Sequence, residues 1–419
     1  MWIELIKDFW ADLKVHRLRA MLTIIAIAWG TLCVVLLLAF GEGLGHQLMV
    51  GMMGAGNRIM MIYGGQTRLA FEGLAKGRPV RLMEEDVDLL RRALPGVAMI
   101  SPQYRKKVSL THGKETALTE CEGVNTAFEE MRTMYPAANG RFLNDLDVSE
   151  RRASLFLGPD IAKQLFKEDP PVGKTVILDR MPYTVVGVMQ TKMQMGDKNG
   201  PDARRAIIPY TTFKTTYGNR YINSIVVRPD DPGRQLALKQ GVYSVLGRKY
   251  RFDPEDERAL GVWDFIENEK INRQVSTGIS IFLGSIGMLT LLIAGVGVAN
   301  VMYVVVKERT REIGIRMAMG ARRRYILAQF LSESLLISFI GGAIGLGISA
   351  AIVYAVRTFV PISYENGVPT AAMFLGRPIL SVGIMALTAG TLTLLGVMAG
   401  LFPARKAASV DPVVSLRYE

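Results

Sequence analysis

The stretch KERTREIGIRMAMGARRR, residues 307–324, carries formal charge on nine of its eighteen residues. It lies between two runs that carry almost none. Residues 274–306 are 33 positions without Asp, Glu, Lys or Arg, and 325–356 are 32 positions with Glu333 as the exception. Two further uncharged runs occupy 20–41 and 378–404. A helix of about 20 apolar residues crosses roughly 30 Å of hydrocarbon. Four such runs exceed what the buried helices of a water-soluble core explain. The expected fold class is membrane α-helical, with four transmembrane helices and a large extracytoplasmic α/β domain between helices 1 and 2.

Composition agrees: the 419 residues are 49% hydrophobic with a net charge of +12, and the charge and the apolar residues are segregated. The first run is longer than the 7–15-residue core of a signal peptide and shows no persuasive cleavage site, so it reads as an uncleaved anchor. Cys33 in the first run and Cys121 in the large loop lie in separate environments and are not expected to bridge.

Excess Lys and Arg near span ends marks the cytoplasmic side. Lys7, Lys14, Arg17 and Arg19 precede the first span, seven basic residues lie within 307–324, and Arg405, Lys406 and Arg417 follow the fourth. Within 357–377 the basic residues are the two at its edges, Arg357 and Arg377. Both termini are therefore expected in the cytoplasm. The expected segments are an interfacial amphipathic helix (1–19), spans at 20–41, 274–306, 325–356 and 378–404, and an outside domain of two α/β lobes at 42–273. A cytoplasmic helix at 307–324, a short outside loop at 357–377 and a tail at 405–419 complete the chain. The second run outlasts one bilayer crossing, so it is expected to continue outward as a stalk.

Within the outside segment, NRIMMIYGG (57–65) and INSIVVRPD (222–230) read as strands. EEDVDLLRRALPGV (84–97) reads as an amphipathic helix with Val87, Leu90 and Leu94 on one face, stopped by Pro95-Gly96. TVILDRMPYTVVGVMQ (175–190) reads as a hairpin turning at Asp179-Arg180-Met181-Pro182. The polar insert MGDKNGPDARR (195–205) reads as an exposed, mobile loop.

Several kinds of chemistry are excluded. PVGKT (171–175) ends like a phosphate-binding loop, but the pattern needs glycine at 168, where Glu stands; a turn into the hairpin is expected instead. His16, His46 and His112 lack metal-ligand spacing, and no catalytic triad is visible. Mid-membrane ionisable groups mark ion pathways, and the first, second and fourth spans have none. Glu333, nine residues into its run, is expected to have a structural partner near Arg322–Arg324. Gly341 and Gly345, and Gly396 and Gly400, stand at the spacing that lets helices approach closely, within the chain or in a homodimer.

The positive-inside rule accounts for the arginines of 307–324 but not for Glu308 and Glu312. These stand four apart among Arg309, Arg311 and Arg316, with Ile313, Ile315 and Met317 interspersed and a small-residue turn at Gly320-Ala321. Such a helix suits docking on a cytosolic partner.

The sequence ERTREIGIRMAMGA after GVGVANVM, followed by QFLSESLL, resembles the permease subunits of the MacB/FtsX/lipoprotein-releasing class of ABC transporters. The tail PARKAASVDPVVSLRYE and the segments LGPDIAKQLF and PVGKTVILDRMPYTVVGV are similar to that family as well, and the likeness covers essentially the whole chain. It implies that Glu308, Arg309, Arg311, Glu312, Ile313, Gly314, Ile315, Arg316, Gly320 and Ala321 belong to a coupling helix inserted into a separate cytosolic ABC ATPase. The permease would be non-catalytic and hold no cofactor, with ATP and Mg bound by that partner. MacB carries its ATPase N-terminal to the permease, whereas this chain opens just before the first span, so a separate polypeptide is expected to supply it. The other expected partners are a second copy or a related permease, a periplasmic adaptor with an outer-membrane channel, and membrane lipids; nucleic acid is not among them. The expected function is mechanotransmission, in which ATP hydrolysis drives a periplasmic change that exports or extracts a substrate. The alternative is FtsX-like signalling to a periplasmic hydrolase without transport.

Overall fold

The computed structural model describes residues 17–195, 200–360, 364–365, 368–369 and 377–409. The N-terminal amphipathic segment and most of the tail therefore lie outside the described residues. Two compact units emerge: residues 17–46, 275–360 and 377–409 form one, and 47–274 with a short hairpin (Tyr364–Glu365, Val368–Pro369) form the other.

In chain order, α1 (Arg17–Ala55) leads to β1 (Met60–Gly64), α2 (Glu85–Ala93), β2 (Val97–His112), β3 (Glu115–Val124), α3 (Phe128–Met131) and α4 (Asp145–Ser149). Then come β4 (Ser154–Leu157), α5 (Pro159–Phe166), β5 (Thr175–Leu178), β6 (Met181–Val188), β7 (Arg205–Pro209), α6 (Tyr210–Tyr217) and β8 (Ser224–Pro229). Finally α7 (Gln235–Tyr250) and β9 (Leu260–Asp264) lead into α8 (Phe265–Glu308), α9 (Thr310–Ala318), α10 (Arg323–Phe359) and α11 (Val382–Ala408). Four of these, α1, α8, α10 and α11, are long and apolar enough to cross a membrane.

The long helices outrun the uncharged runs. α1 continues to Ala55 and α8 starts at Phe265, because Glu42 or Lys270 ends a hydrocarbon-compatible segment without breaking a helix. Asp264 starts α8: its carboxylate accepts from the N–H of Ile266 and Glu267, at 2.9 and 3.1 Å, as an N-cap does.

The strand pairings of the second unit fall into two groups that share β2. Residues 97–103 pair with β8, which continues to β1 and then β9, all antiparallel. Residues 104–112 pair with β3, and Leu110 and Thr111 also pair with β5. From β3 the order runs through β7, β4 and β6 back to β5, so six strands close on themselves. Val108, Leu110, Leu157, Leu178 and Val185 belong to the buried core there.

The β5–β6 hairpin turns on Asp179 and Arg180 alone, with φ of 42° and 78°, and Met181-Pro182 already belongs to β6. Positive φ at both central residues suits a two-residue hairpin but not these side chains. The Asp179 carboxylate fixes the turn by accepting from Ser109 N–H and the Tyr217 hydroxyl, at 3.0 and 3.1 Å. Gly173, with φ of 84°, makes the turn into β5.

The polar insert is not an exposed loop at its C-terminal end. Asp202, Ala203 and Arg205 are buried. Asp202 receives Arg132 at 2.6 Å, Lys192 at 2.7 Å and Arg205 at 3.5 Å, and Arg205 also pairs with buried Glu122. Burial opposes ionisation of Asp202, but the three cations outweigh it and hold the carboxyl below the usual range. The same insert seats the end of α1: Met195 N–H donates to Gly51 O at 2.8 Å, and a side chain at Gly54 would strike Met193 O. Residues 196–199 lie outside the described residues.

In the first unit, glycines set helix spacing. A Cβ at Gly345 would stand 2.6 Å from Ala28 O, and one at Gly341 2.8 Å from Ile27 Cβ, both on α1. Gly396 and Gly400 of α11 face Ser338 and Ser334 of α10, and the Ser334 hydroxyl donates to Gly396 O at 2.8 Å. Both glycine pairs are thus used within one chain. Their neighbour Gly347 has open space.

Two predictions follow from this packing. Gly345→Ala should destabilise the chain by about 1–3 kcal/mol through overpacking, whereas Gly347→Ala should not lower the thermal unfolding midpoint in detergent. Asp202→Asn should cost about 3–5 kcal/mol near neutral pH by leaving buried cations uncompensated. A depressed carboxyl stabilises above its unfolded pKa of about 3.9 and loses that contribution as pH falls through the lower folded value. The variant's unfolding midpoint should therefore fall less than the parent's on acidification below about pH 4.

Candidate functional site

The charged stretch folds as a short helix inserted between two spans. Thr310 marks its start, with its hydroxyl donating to Val306 O and Lys307 O at 3.0 and 2.8 Å. It stops at a glycine-terminated cap. Gly320 has φ of 94°, its N–H donates to Met317 O, and Ala321 N–H donates to Arg316 O, each at 3.0 Å. That pair of bonds is the Schellman arrangement, which favours glycine because of its left-handed backbone.

One face of α9 is anchored. Ile313 and Gly314 are buried, and Ile313 belongs to the same apolar cluster as Val306 of α8, Ile326 and Phe330 of α10, and Ala404 and Ala407 of α11. Met317, one turn on, packs against this cluster. Arg316 donates to Gln329 of α10 at 3.0 Å.

The opposite face is open. Arg311, Glu312, Ile315, Ala318 and Met319 are exposed, Ile315 at 42% and Met319 at 79%. These positions recur at helical spacing, so three apolar side chains, two of them large, stand among charges of both signs. Of the three apolar residues singled out from sequence for docking, Ile315 alone is presented; Ile313 and Met317 hold the helix in place. Met319 was missed, although its i,i+4 spacing from Ile315 signalled it.

The two glutamates differ. Glu308 is bound by Arg19 of α1 at 2.8 and 3.0 Å, an exposed pair worth at most about 1 kcal/mol. Glu312 has no ion-pair partner among the described residues. Arg309, half-buried at the α8–α9 junction, acts electrostatically on Glu333, a role expected of Arg322–Arg324. Those three arginines and Lys307 are exposed, and Ala321 is half-buried. The arrangement is an anchored helix with a mixed apolar and charged outer face.

Two family models match the chain. The model for the MacB-like periplasmic core domain matches residues 20–242, and that for the FtsX-like permease C-terminal region matches 284–412, α9 included. The chain belongs to the MacB-like permease family. It is a multi-pass membrane protein with a periplasmic domain between its first two spans. The macrolide export ATP-binding/permease protein MacB of Bdellovibrio bacteriovorus is 28% identical over 419 residues, covering 100% of this chain and 62% of that protein. MacB of Wolinella succinogenes is 31% identical over 99% of this chain and 61% of its own length. The pyoverdine export ATP-binding/permease protein PvdT of Pseudomonas putida is 31% identical over 100% and 60%. The chain therefore spans about three fifths of the length of these relatives, and what it matches is their permease portion.

The two faces of α9 should respond oppositely to charge. Ile313→Asp should destabilise the protein by more than about 3 kcal/mol by burying a carboxylate. Ile315→Asp should stay within about 0.5 kcal/mol of the parent, as exposed substitutions do. Thermal unfolding in detergent reads both.

Proposed function

We propose that this chain is the non-catalytic permease subunit of an inner-membrane ABC transporter, driven by ATP hydrolysis in a partner subunit. The observation that carries the reading is the open face of α9. Arg311, Glu312, Ile315 and Met319 project from a helix whose other side is bound into three spans, so force applied to this face is delivered to the helix bundle. The relatives' names join ATP binding and permease functions, which supports an ATPase as the occupant. A periplasmic domain between the first two of four spans supports a cytoplasmic position for α9 and for both termini.

The route outward is through α1 and α8. Gly41 and Gly45 of α1 admit Ser280 and Ser276 of α8, and Gly287 of α8 admits Val34, so the two helices are closely matched along their length. Both continue beyond their uncharged runs into the second unit. A displacement of α9 would thus be passed along continuous helices, with two protomers and two ATPase subunits working as one assembly. The reading is mechanotransmission: the periplasmic domains move, and a substrate is exported or extracted at the periplasmic face with the help of a periplasmic adaptor.

Purification of the tagged chain from its own membranes in mild detergent tests this. A stoichiometric ATP-binding subunit should accompany it, and the complex should hydrolyse ATP. Glu312→Lys combined with Ile315→Asp should weaken retention of that subunit by at least about tenfold, a loss of ~1.4 kcal/mol, while leaving membrane insertion intact. Unchanged retention and unchanged ATPase activity would rule out this face. A co-purifying cell-wall hydrolase in place of an adaptor would turn the reading to signalling.

A further inference from the structure

The periplasmic domain closes six of its strands on themselves, but β9 ends the other strand group with a neighbour on one side only. Phe265 N–H donates to Ile59 O, and Gly65 N–H to Ala259 O, each at 3.0 Å. In the β1–β9 register these fall on odd-numbered residues of both strands. By alternation, Gly261 and Trp263 turn their peptide groups toward β1, and Leu260, Val262 and Asp264 turn theirs to the open side. Leu260 O is occupied by the Tyr243 hydroxyl at 2.9 Å. Val262 has no hydrogen-bond partner on that side among the described residues.

Proteins usually guard such an edge with charge, proline or a bulge. Leu260-Gly261-Val262-Trp263 has none of these. A groove of about 810 Å³ runs beside it, lined by Tyr63, Arg81, Arg258, Gly261, Val262 and Trp263 among others. Gly261 stands opposite Tyr63 in register and leaves that face open. Trp263 stacks on Phe265 with centroids 5.0 Å apart, giving the groove a fixed aromatic wall.

The charges at the groove name its occupant. Arg81 and Arg258 are exposed and form no ion pair among the described residues, against one carboxylate, Glu257. Arg220 shares the Tyr221 ring with Arg81, at 5.7 and 5.2 Å, and forms no ion pair among the described residues. Crowding like charges around an aromatic ring is favourable when an anion completes the group.

We propose that β9 and its groove capture an extended, acidic segment of a partner protein by strand addition. Main-chain hydrogen bonds to Val262 would supply affinity, and pockets for alternate side chains would supply specificity. The partner's carboxylates would meet Arg81 and Arg258. This surface is separate from α9, and the proposal holds whether or not an ATPase docks there.

The test uses the full chain in detergent and two seven-residue peptides, one alternating valine with glutamate and one alternating valine with lysine. Amide hydrogen exchange and fluorescence anisotropy are the readouts. The acidic peptide should protect the Val262 amide and bind at least about tenfold tighter than the basic one, a difference of ~1.4 kcal/mol. Arg81→Glu with Arg258→Glu should abolish or invert that preference, and Val262→Pro should remove the binding itself. Equal affinity for the two peptides, or no protection at Val262 with either, would overturn the proposal. So would protection without peptide that grows with protein concentration, since a second copy would then occupy the edge.

Discussion

Helices in hydrocarbon gain little by hiding apolar side chains from lipid that is equally apolar, so they are held by what happens at short range. In this chain the short range is set by glycine. Gly345 lies under Ala28 and Thr31, Gly341 under Ile27, Gly400 against Ser334, and Gly287 against Val34. Each contact brings backbone to within reach of a neighbouring helix, and one of them matures into a buried hydrogen bond from Ser334 to Gly396 O. Helices matched this closely have few alternative arrangements, because a shift along the axis drives a Cβ or hydroxyl into backbone. The bundle that results is a stiff mount for α9.

A second constraint acts in the periplasmic domain, and it is electrostatic. Asp202 and Glu122 are fully buried with Arg132, Arg205 and Lys192 around them. Pulling those groups out of water is costly, and the geometry repays it only when all the partners are in place. That condition ties the insert to the domain body, and its first residue with the two before it lies over Gly51 and Gly54 at the end of α1. The other long helix is tied differently: β9 runs straight into α8, with Asp264 capping it and Gln235 of α7 donating to the same carboxylate at 2.6 Å.

What the sequence reveals here is what is local. Charge-free runs announce spans, a short β-branched run closed by turn residues announces β8, period 3.6 announces α2, and the charged interruption at 307–324 announces a helix with both signs of charge. What escapes is set by distance. The closure of β2 onto both β3 and β5 joins Leu110 to Ala117 and to Leu178, and no local pattern encodes the second pairing. Asp202 and Arg205 look like loop residues because Arg132 stands 70 residues from the one and Glu122 83 from the other. The uncharged runs do not mark the helix ends, since charge stops a membrane run and not a helix. The division of α9 was partly readable: Ile313 and Met317 share one face and Ile315 and Met319 another, by spacing alone. Which of the two faces inward needed the neighbouring helices.

The proposed occupant of the outer face of α9 is an ATP-binding subunit. Single cysteines at 319 and at 313, introduced in turn and treated with a short bifunctional reagent in native membranes, address it directly. Met319→Cys should give a crosslink to an ATP-binding protein whose yield changes when ATP is added, and Ile313→Cys should give none. Crosslinks from both positions, or an adduct at 319 that contains no ATP-binding protein, would contradict the account.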